Sequence, residues 1–262
     1  MPPGTGWPDD PADGRTPVAS SPDDVRRLAR AAVTLPELDA TVSVCRACPR
    51  LVQWREQVAV ERRRSFDAEQ YWGRPIAGWG DPAGPLLVVG LAPAAHGGNR
   101  TGRIFTGDRS GDWLFAALHR AGYANTPVSQ RAGDGLVLDD AYVAAAVRCA
   151  PPENKPTPEE RDACMPFLLR ELEAFDRLSV IVTLGGFAYD ALWKVLTARG
   201  GALPKPRPKF GHGVEVAAER YAILGCYHPS QQNTFTGRLT EHMFDQVFAR
   251  AVGHADRPLP TL

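Results

Sequence analysis

The sequence predicts an α/β protein: a three-layer sandwich in which helices flank a central, mainly parallel sheet of four strands. Four short apolar runs recur along the 262 residues. Each run is followed by a stretch of about 10–15 residues with helical spacing of its apolar side chains, and this alternation is typical of parallel sheets. The runs are nearly continuous rather than alternating, as expected for strands covered on both faces. A chain of this length can bury about 70–75% of its unfolded surface, so it needs no disulfide bonds to fold.

The N-terminal part predicts a tail and two helices. Residues 1–20 are rich in Pro, Gly, Asp and Ser, the composition of a disordered tail, and a single domain is expected over residues 21–255. The segment SPDDVRRLARAA opens with Ser21 as a capping residue, followed by a proline and two acids, so it marks a helix start. A second helix is expected to begin near Cys45 and Cys48 and to run through LVQWREQVAVERR.

The four predicted strands each end in glycine, proline or polar residues. They are the runs at 85–93, 140–149, 178–186 and 221–230. Helices are expected in the segments that follow them, DWLFAALHRAG, TPEERDACMPFLLRELEAF, FAYDALWKVLTARG and RLTEHMFDQVFARAV. The carboxyl ends of parallel strands meet at one edge of a sheet, where ligands bind. We call this edge the rim, and it should collect the segments GLAPAAHGGNRTGRIFTGD, VRCAPPENKP, TLGG and GCYHPSQQN.

Charge and hydropathy limit the possible partners. Net charge is zero, with 30 basic and 30 acidic residues, which at first disfavours a nucleic-acid partner. Residues 1–40 hold seven acids and four bases, however, so the rest of the chain has 26 bases against 23 acids, which weakly favours a polyanion site. No apolar stretch approaches the ~18 residues that would cross a bilayer, and the N-terminus lacks the pattern of an export signal. We therefore expect a cytoplasmic monomer with no membrane partner.

Four of the five cysteines predict a shared site. Cys45 and Cys48 form a C-x2-C pair, and in a reducing compartment such a pair favours metal binding or redox chemistry over cross-linking. Cys149 ends the second predicted strand and Cys164 lies in the next helix, so all four thiolates can close into one site. Four sulfurs suit zinc or an iron–sulfur cluster, and spacing alone does not choose between them. The alternative for the latter two cysteines is burial as small hydrophobes, which is also what we expect for Cys226.

The longest motifs resemble those of a known family. GLAPAAHGGNRTGRIFTGD at 90–108 and HPSQQN at 228–233, with C-x2-C ahead of both and C-x14-C between them, are similar to the family 5 uracil-DNA glycosylases. These enzymes are the relatives of family 4 that carry a [4Fe–4S] cluster, and the resemblance covers roughly residues 40 to 250. It implies base-excision repair: hydrolysis of the N-glycosidic bond of uracil and other deaminated or altered bases, leaving an abasic site. The implied partners are double-stranded and single-stranded DNA containing damaged bases, at a nucleoid-associated location.

The resemblance also implies which cysteines hold a cofactor. It assigns the ligands of a [4Fe–4S] cluster to Cys45, Cys48, Cys149 and Cys164. The cluster is then expected to be structural, joining the N-terminal segment to the sheet.

Three residues at the rim are catalytic candidates. Base excision needs a carboxylate to orient or deprotonate water, a donor to the anionic oxygen of the leaving base, and an aromatic face for the flipped base. Asp108 is the expected carboxylate, with a cap on the next helix as the alternative role. His228 is the expected donor, although a lone histidine is often structural. Asn154 is expected to contact the base or the water, although Asn beside Pro and Lys is also common in turns.

Five further residues are expected to bind substrate: Gly90, Ala92, Phe105, Ser230 and Asn233. Phe105 matches the position where the family stacks an aromatic ring on the extruded base, and packing in the core is the alternative. Ala92 stands where other families of the superfamily hold an acidic residue, so the usual base is absent and Asp108 is its expected substitute.

Substrate range and DNA contacts follow from the same comparison. Ala145 stands where family 4 places an asparagine that pairs with uracil, so a wider range of bases is expected, including hypoxanthine and ethenocytosine. The loop QQNTF is expected to enter the duplex as the nucleotide leaves it. Backbone contacts are expected from the glycine-rich segment, Ser230 and four arginines, Arg100, Arg103, Arg109 and Arg238.

Two other functions fit parts of this pattern. A non-catalytic DNA-damage binding protein would use the same cluster and rim. A nucleotide hydrolase or phosphotransferase is suggested by the glycine-rich turn after a strand. The turn GGNRTG lacks the G-x-x-x-x-G-K-[ST] pattern and its phosphate-binding lysine, which disfavours that second alternative.

Overall fold

A computed structural model describes residues 2–255, and within them the chain forms one six-stranded sheet surrounded by helices. The strands are β1 (Trp79–Gly80), β2 (Leu86–Gly90), β3 (Ala141–Ala145), β4 (Val180–Leu184), β5 (Glu215–Ala218) and β6 (Tyr221–Cys226). The α-helices are α1 (Pro22–Ala31), α2 (Leu35–Ser43), α3 (Pro49–Glu61), α4 (Gly98–Thr101), α5 (Arg109–Arg120), α6 (Pro158–Ala174), α7 (Gly186–Ala198), α8 (Gln231–Phe235) and α9 (Glu241–Ala255). None of these helices is both long and apolar enough to cross a membrane.

The sheet confirms the predicted α/β class and corrects its strand count. Its order is β1-β3-β2-β4-β6-β5, and the four inner strands are parallel. These are the four strands that the sequence predicts. The two edge strands are antiparallel to their neighbours. They escape prediction because β1 has only two residues and β5 alternates exposed and buried side chains, unlike the continuous apolar runs inside the sheet.

Two apolar layers cover the two faces of the sheet. Every residue of β2, β3 and β4 is buried. Val88 and Val182 point toward α5 and α9, whereas Leu87 and Ile181 point toward α6 and α7. This alternation follows from the two-residue period of a strand. The result is the predicted sandwich of helices, sheet and helices.

The helix starts follow the predicted capping chemistry. The Ser21 side chain caps α1 by accepting a hydrogen bond from the backbone N–H of Asp24 at 3.1 Å. Thr157 and Glu160 form the expected reciprocal box at the start of α6. A second box, in which Thr34 and Glu37 cap α2, is present in the sequence as TLPE and gives a helix that the periodicity does not predict.

The segment of residues 2–20 makes specific contacts with the folded body. Asp10 pairs with Arg74 at 2.6 Å, and both side chains are more than nine-tenths buried. Ala19 is fully buried, and its carbonyl accepts a hydrogen bond from the Arg46 N–H at 2.8 Å. The tail at 1–20 and the single domain over 21–255 stay predictions.

Candidate active site

The rim gathers the loops that carry the predicted site residues. Strands β2, β4 and β6 lie side by side and run in the same direction, so their carboxyl ends meet. Gly90 ends β2, Gly185 directly follows β4, and His228 follows β6 by two residues. A Cβ atom added to Gly185 would lie 3.5 Å from the Cβ of His228. Backbone from two neighbouring strands therefore encloses the histidine.

Phe105 lies on the predicted donor. Its ring stacks on the imidazole of His228 with centroids 5.9 Å apart and planes inclined by 29°. The ring also rests on Gly90, where any Cβ would overlap it. Gly90 is thus required by a close approach rather than by its φ angle. Phe105 itself has a left-handed φ of 54°, which costs a non-glycine residue energy and needs support from its surroundings.

Burial keeps the His228 imidazole neutral near pH 7, because it lowers the pKa of this group to about 4. A neutral imidazole offers one N–H donor and one nitrogen acceptor. Its backbone is also fixed, since the Asn233 side-chain amide donates to the His228 carbonyl at 2.8 Å. Ser230 caps α8 by accepting from the Asn233 N–H at 3.4 Å. These two predicted substrate contacts therefore build the turn that holds His228.

Asp108 is both a helix cap and a rim carboxylate. It is the N-cap of α5, and its Oδ1 accepts a hydrogen bond from the Gly111 N–H at 3.0 Å. Its Oδ2 faces Gly97 so closely that a Cβ there would overlap it. Burial raises the pKa of the Asp108 carboxyl, against the opposing effect of the Gly111 and Ser110 N–H groups. A raised pKa makes the carboxylate a stronger base.

Asp108 and His228 lie on the same edge of the molecule. Phe105, three residues before Asp108, stacks on His228. Arg109, the next residue after Asp108, places its guanidinium 4.6 Å from the ring centre of Phe235 in α8. Two neighbours of Asp108 in the sequence thus contact His228 and the helix that follows it.

The remaining site candidates are less tightly integrated. Asn154 ends a short 3-10 turn, Pro152–Asn154, in the loop after β3, and its side chain is exposed. Ala92 is partly buried against the apolar group of Leu51, Val147 and Cys149, so it borders the cysteine region.

Two of the four arginines expected at DNA make structural contacts within the protein. Arg103 is 7% exposed and forms hydrogen bonds with Asp134 at 2.6 and 2.8 Å, so its expected DNA contact is wrong. Arg100 donates to the carbonyls of His96 and Gly107, and its side chain is 11% exposed, so its expected DNA contact stays a prediction. Inside a sequence motif, a buried arginine and a surface arginine look alike.

Arg109 and Arg238 remain on the surface. The Arg238 guanidinium lies 4.6 Å from the ring centre of Tyr227, next to His228.

The four predicted cysteine ligands line one small cavity. Cys45, Cys149 and Cys164 are buried, and Cys48 is half-buried. Burial, followed by the neighbouring thiols, raises the pKa of Cys45 and of Cys48 to about 12. Cys226 lies apart from them in the core between the sheet and α5 and α9, as predicted.

Two arginines face the sulfurs. The Arg55 Nη1 donates to the Cys149 Sγ at 2.9 Å, and the Arg148 backbone N–H donates to the Cys164 Sγ at 3.4 Å. Arg148 forms a buried ion pair with Glu171. The side chain of Arg55 is 1% exposed. Its Nη2 lies 3.8 Å from the Oε1 of Glu56, whose side chain is half-exposed.

Comparison with known proteins identifies the family. Residues 77–251 match the family model of the Uracil DNA glycosylase superfamily. The Type-5 uracil-DNA glycosylase of Mycobacterium tuberculosis (strain CDC 1551 / Oshkosh) is 57% identical over 95% of this chain and 92% of that protein. The chain belongs to the uracil-DNA glycosylase superfamily. The Type-5 uracil-DNA glycosylase of Thermus thermophilus is 49% identical over 80% of this chain and 94% of its own length. The Type-4 enzyme of Archaeoglobus fulgidus is 34% identical over only 37% of this chain.

These relatives confirm the resemblance to family 5 within the superfamily. The two Type-5 relatives are 49–57% identical over at least 80% of the chain, whereas two Type-4 relatives are 28% and 34% identical over 62% and 37% of it. The superfamily match at residues 77–251 covers the sheet and the rim but begins after Cys45 and Cys48. Two of the four predicted metal ligands therefore lie outside the superfamily match.

The four cysteines line one cavity without forming a single-ion site. Among the described residues, no group of three or more His, Cys, Asp or Glu side chains is arranged to hold a metal ion. Each thiolate of a [4Fe–4S] cluster bonds a different iron atom, so the four sulfurs surround a volume instead of meeting at one point. Four thiols around a cavity, faced by the Arg55 cation, match an anionic cluster of that kind.

Sequence reasoning missed the residue that connects this region to the rim. Asn99 is 1% exposed, and its side-chain amide donates to the Arg55 carbonyl at 3.1 Å. It lies inside the glycine-rich loop, which we define as residues 97–108. The available signal was an amide side chain between glycines and arginines, but a motif does not show which of its members point inward.

Proposed function

We propose that this protein is a monofunctional DNA glycosylase of base-excision repair, which hydrolyses the N-glycosidic bond of uracil in DNA and leaves an abasic site. The observation that carries the proposal is the stack of Phe105 on a neutral His228 at the same rim as the partly buried carboxyl of Asp108. Relatives that span most of the chain are named Type-5 uracil-DNA glycosylases. Membership in this superfamily and the site chemistry therefore point to the same reaction.

In the proposed mechanism, the three side chains divide the chemistry. Asp108 orients a water molecule and accepts its proton as the water oxygen bonds to the anomeric carbon. The bond between that carbon and the base nitrogen breaks, and the base leaves as an anion. His228 donates its N–H to the developing negative oxygen, a role that suits a neutral imidazole because donation does not require a prior charge. Phe105 provides an aromatic face for the flipped base.

The pocket is proposed to accept more than uracil. Ala145 ends β3 with 2% exposure and offers no side-chain hydrogen bond to a base edge. Without such a partner, a wrong base leaves no buried polar group unpaired, so discrimination falls. Gly90 and Ala92 contribute backbone and small side chains, and Asn154 contributes its amide to the base or the water. We expect hypoxanthine and ethenocytosine to be substrates together with uracil.

DNA is proposed to cross the rim over α8. Arg109 and Arg238 are exposed there, and Ser230 lies at the start of the same helix. Phe235 is 68% exposed, which is unusual for a phenylalanine, and Arg109 stacks on it. An exposed aromatic ring beside a cation suits insertion between bases. We also propose that the protein acts on single-stranded and double-stranded DNA, that it is a monomer, and that it is cytoplasmic and nucleoid-associated.

A [4Fe–4S] cluster is the proposed cofactor. Cys45, Cys48, Cys149 and Cys164 would hold it. When bound, it would supply a structural link between the start of α3, the loop after β3 and α6. The Arg55 guanidinium would donate to its sulfur shell.

Incubation of the purified full chain with a uracil-containing oligonucleotide, followed by alkali, tests the activity. Strand scission at the uracil position is expected, because alkali cleaves an abasic site. A control oligonucleotide with thymine at that position should stay intact. Tight binding to the uracil-containing DNA without scission would contradict the proposal and favour a non-catalytic damage-binding protein. Iron content and visible absorbance of the same preparation test the cofactor independently.

A further inference from the structure

The N-terminal segment crosses the start of the glycine-rich loop. Gly102 follows α4 and has a left-handed φ of 79°. The Trp7 indole lies against this glycine, and a Cβ atom added there would be 2.5 Å from the Trp7 Nε1. The next residues of the loop lead directly to Phe105, which stacks on His228. Trp7 therefore packs at the point where the chain turns toward the predicted base pocket.

A buried ion pair anchors this segment. Asp10 accepts hydrogen bonds from the two terminal nitrogens of Arg74 at 2.9 and 2.6 Å. Arg74 also donates to the Ser43 carbonyl at 3.0 Å, and its guanidinium stacks 3.9 Å from the ring centre of Trp72. Because both partners of the pair are more than nine-tenths buried, solvent does not weaken it as it weakens a surface pair. Trp7 is thereby held in place by a neighbour only three residues away.

The anchor is itself bonded to the glycine-rich loop. The Trp7 and Trp72 rings are in contact, with centroids 5.5 Å apart. The backbone N–H of Trp72 donates to the Arg100 carbonyl at 3.1 Å, and that of Gly73 donates to the Asn99 carbonyl at 3.0 Å. Segment, anchor and loop thus form one continuous set of contacts.

The loop needs such support because of its backbone. Phe105 has a φ of 54°, a conformation that a bulky residue keeps only where surrounding contacts hold it. On one side, Arg103 holds the loop through Ser129 and Asp134. On the other side, Trp7 covers Gly102.

We infer that residues 7–10 are a strap that fixes the position of Phe105 through the glycine-rich loop, with Trp7 as a positioning residue. The inference rests on the proposed glycosylase function, because its consequence is the placement of a catalytic aromatic ring. Trp7 does not touch the substrate. Its loss should slow the chemical step and leave the rest of the DNA-binding surface intact.

The test compares Trp7→Ala with Trp7→Phe and Asp10→Asn in the full chain. Trp7→Ala is expected to lower the single-turnover rate of uracil excision about 10-fold, a modest misplacement effect. Its affinity for a duplex with an abasic-site analogue should stay within about twofold of wild type. Trp7→Phe keeps an aromatic ring over Gly102 and should restore most of the rate. Asp10→Asn should slow excision in the same direction, because it weakens the anchor.

A matched variant separates positioning from general destabilisation. Val195→Ala removes buried volume in α7, on the opposite face of the sheet, and should lower the melting temperature while leaving the excision rate near that of wild type. An unchanged rate in Trp7→Ala, an equal rate loss in Val195→Ala, or a parallel loss of rate and DNA affinity in Trp7→Ala would each overturn the inference.

Hydrogen exchange provides a readout that does not depend on activity. Backbone amides of residues 102–108 should exchange faster in Trp7→Ala than in wild type, and remain unchanged in Val195→Ala. If wild-type protein excised no uracil but these amides responded as expected, the glycosylase proposal would fail and the strap would stand. If the amides of residues 102–108 exchanged at the wild-type rate in Trp7→Ala, the strap inference would be wrong, whatever the excision rate.

Discussion

Asp108 is a helix cap and also the proposed catalytic base, and substitution can separate these two roles. One carboxylate oxygen caps α5 by accepting from the Gly111 N–H, and the other faces Gly97 at the rim. Asparagine is as good a helix cap as aspartate, but its amide cannot take a proton from water. Asp108→Asn should therefore keep the cap and lose the base. Asp108→Ala should lose both.

The two effects have different magnitudes. Loss of a general base costs about 100-fold or more in rate, equivalent to about 2.7 kcal/mol in the activation barrier. Loss of a cap costs about 1 kcal/mol of folding free energy, or roughly 2–4 °C in the melting temperature of a chain near this size. We expect Asp108→Asn to excise uracil at least about 100-fold more slowly, with a melting temperature within about 1 °C of wild type. Asp108→Ala should match that rate loss and also lose the cap energy.

Single-turnover excision and thermal unfolding, measured on the same preparations, check this separation. Binding to abasic-site DNA serves as the control and should be retained by both variants. Near-normal turnover in Asp108→Asn would remove the carboxylate from the mechanism and leave the residue as a cap. A large fall in the melting temperature of Asp108→Asn would show that the rate loss has a structural origin.

Three further perturbations follow from the described contacts. Arg55→Gln should lower iron retention, and it should lower the free energy of unfolding by about 3 kcal/mol because two buried hydrogen bonds from a cation are lost. The matched variant at the exposed Arg46, Arg46→Gln, should change neither quantity. An iron assay and urea unfolding measure the two effects. Burial, followed by the nearby charge of Glu171, raises the pKa of Asp39 to about 7. The folded state therefore keeps a proton that the unfolded chain releases, so the free energy of unfolding falls as pH rises from about 4 to about 7. Asp39→Asn should consequently raise the melting temperature at pH 8 and leave it nearly unchanged at pH 4; the opposite order would contradict the burial argument. Phe235→Ala should slow excision from duplex DNA about 10-fold and from single-stranded DNA much less, because only the duplex has a base stack to fill.

The sequence predicts the sheet well where burial is uniform. The inner strands are continuous apolar runs because helices cover both faces of the sheet, and the structure places strands at these runs. Edge strand β5 has only four residues, which alternate between exposed and buried, and helix α2 is short, so neither gives the long apolar pattern by which the other elements are predicted. The predicted positions of Asp108 and His228 at one edge follow from parallel topology alone. The direction in which a side chain points does not follow from topology. For this reason Arg103 is expected at DNA, although it forms a buried ion pair with Asp134.

The roles of Ser230 and Asn233 illustrate the same limit inside the site. Sequence similarity groups them with substrate-binding residues, yet their described hydrogen bonds are to the turn that carries His228. A residue can belong to a functional motif because it fixes the backbone of another. Distinguishing the two cases requires the direction of a hydrogen bond, which a linear pattern does not contain.

The glycine-rich loop is held by contacts with two other parts of the protein. From the cysteine side, Asn99 donates to the carbonyl of Arg55, whose guanidinium donates to Cys149. From the strap side, Trp7 covers Gly102. Between them the loop must present a strained Phe105 and a partly buried carboxyl, that of Asp108, both of which are unfavourable alone. Such a site keeps its geometry only if rigid structure surrounds it, so the scaffold that fixes the loop is as much a requirement of base excision as the groups that touch the base.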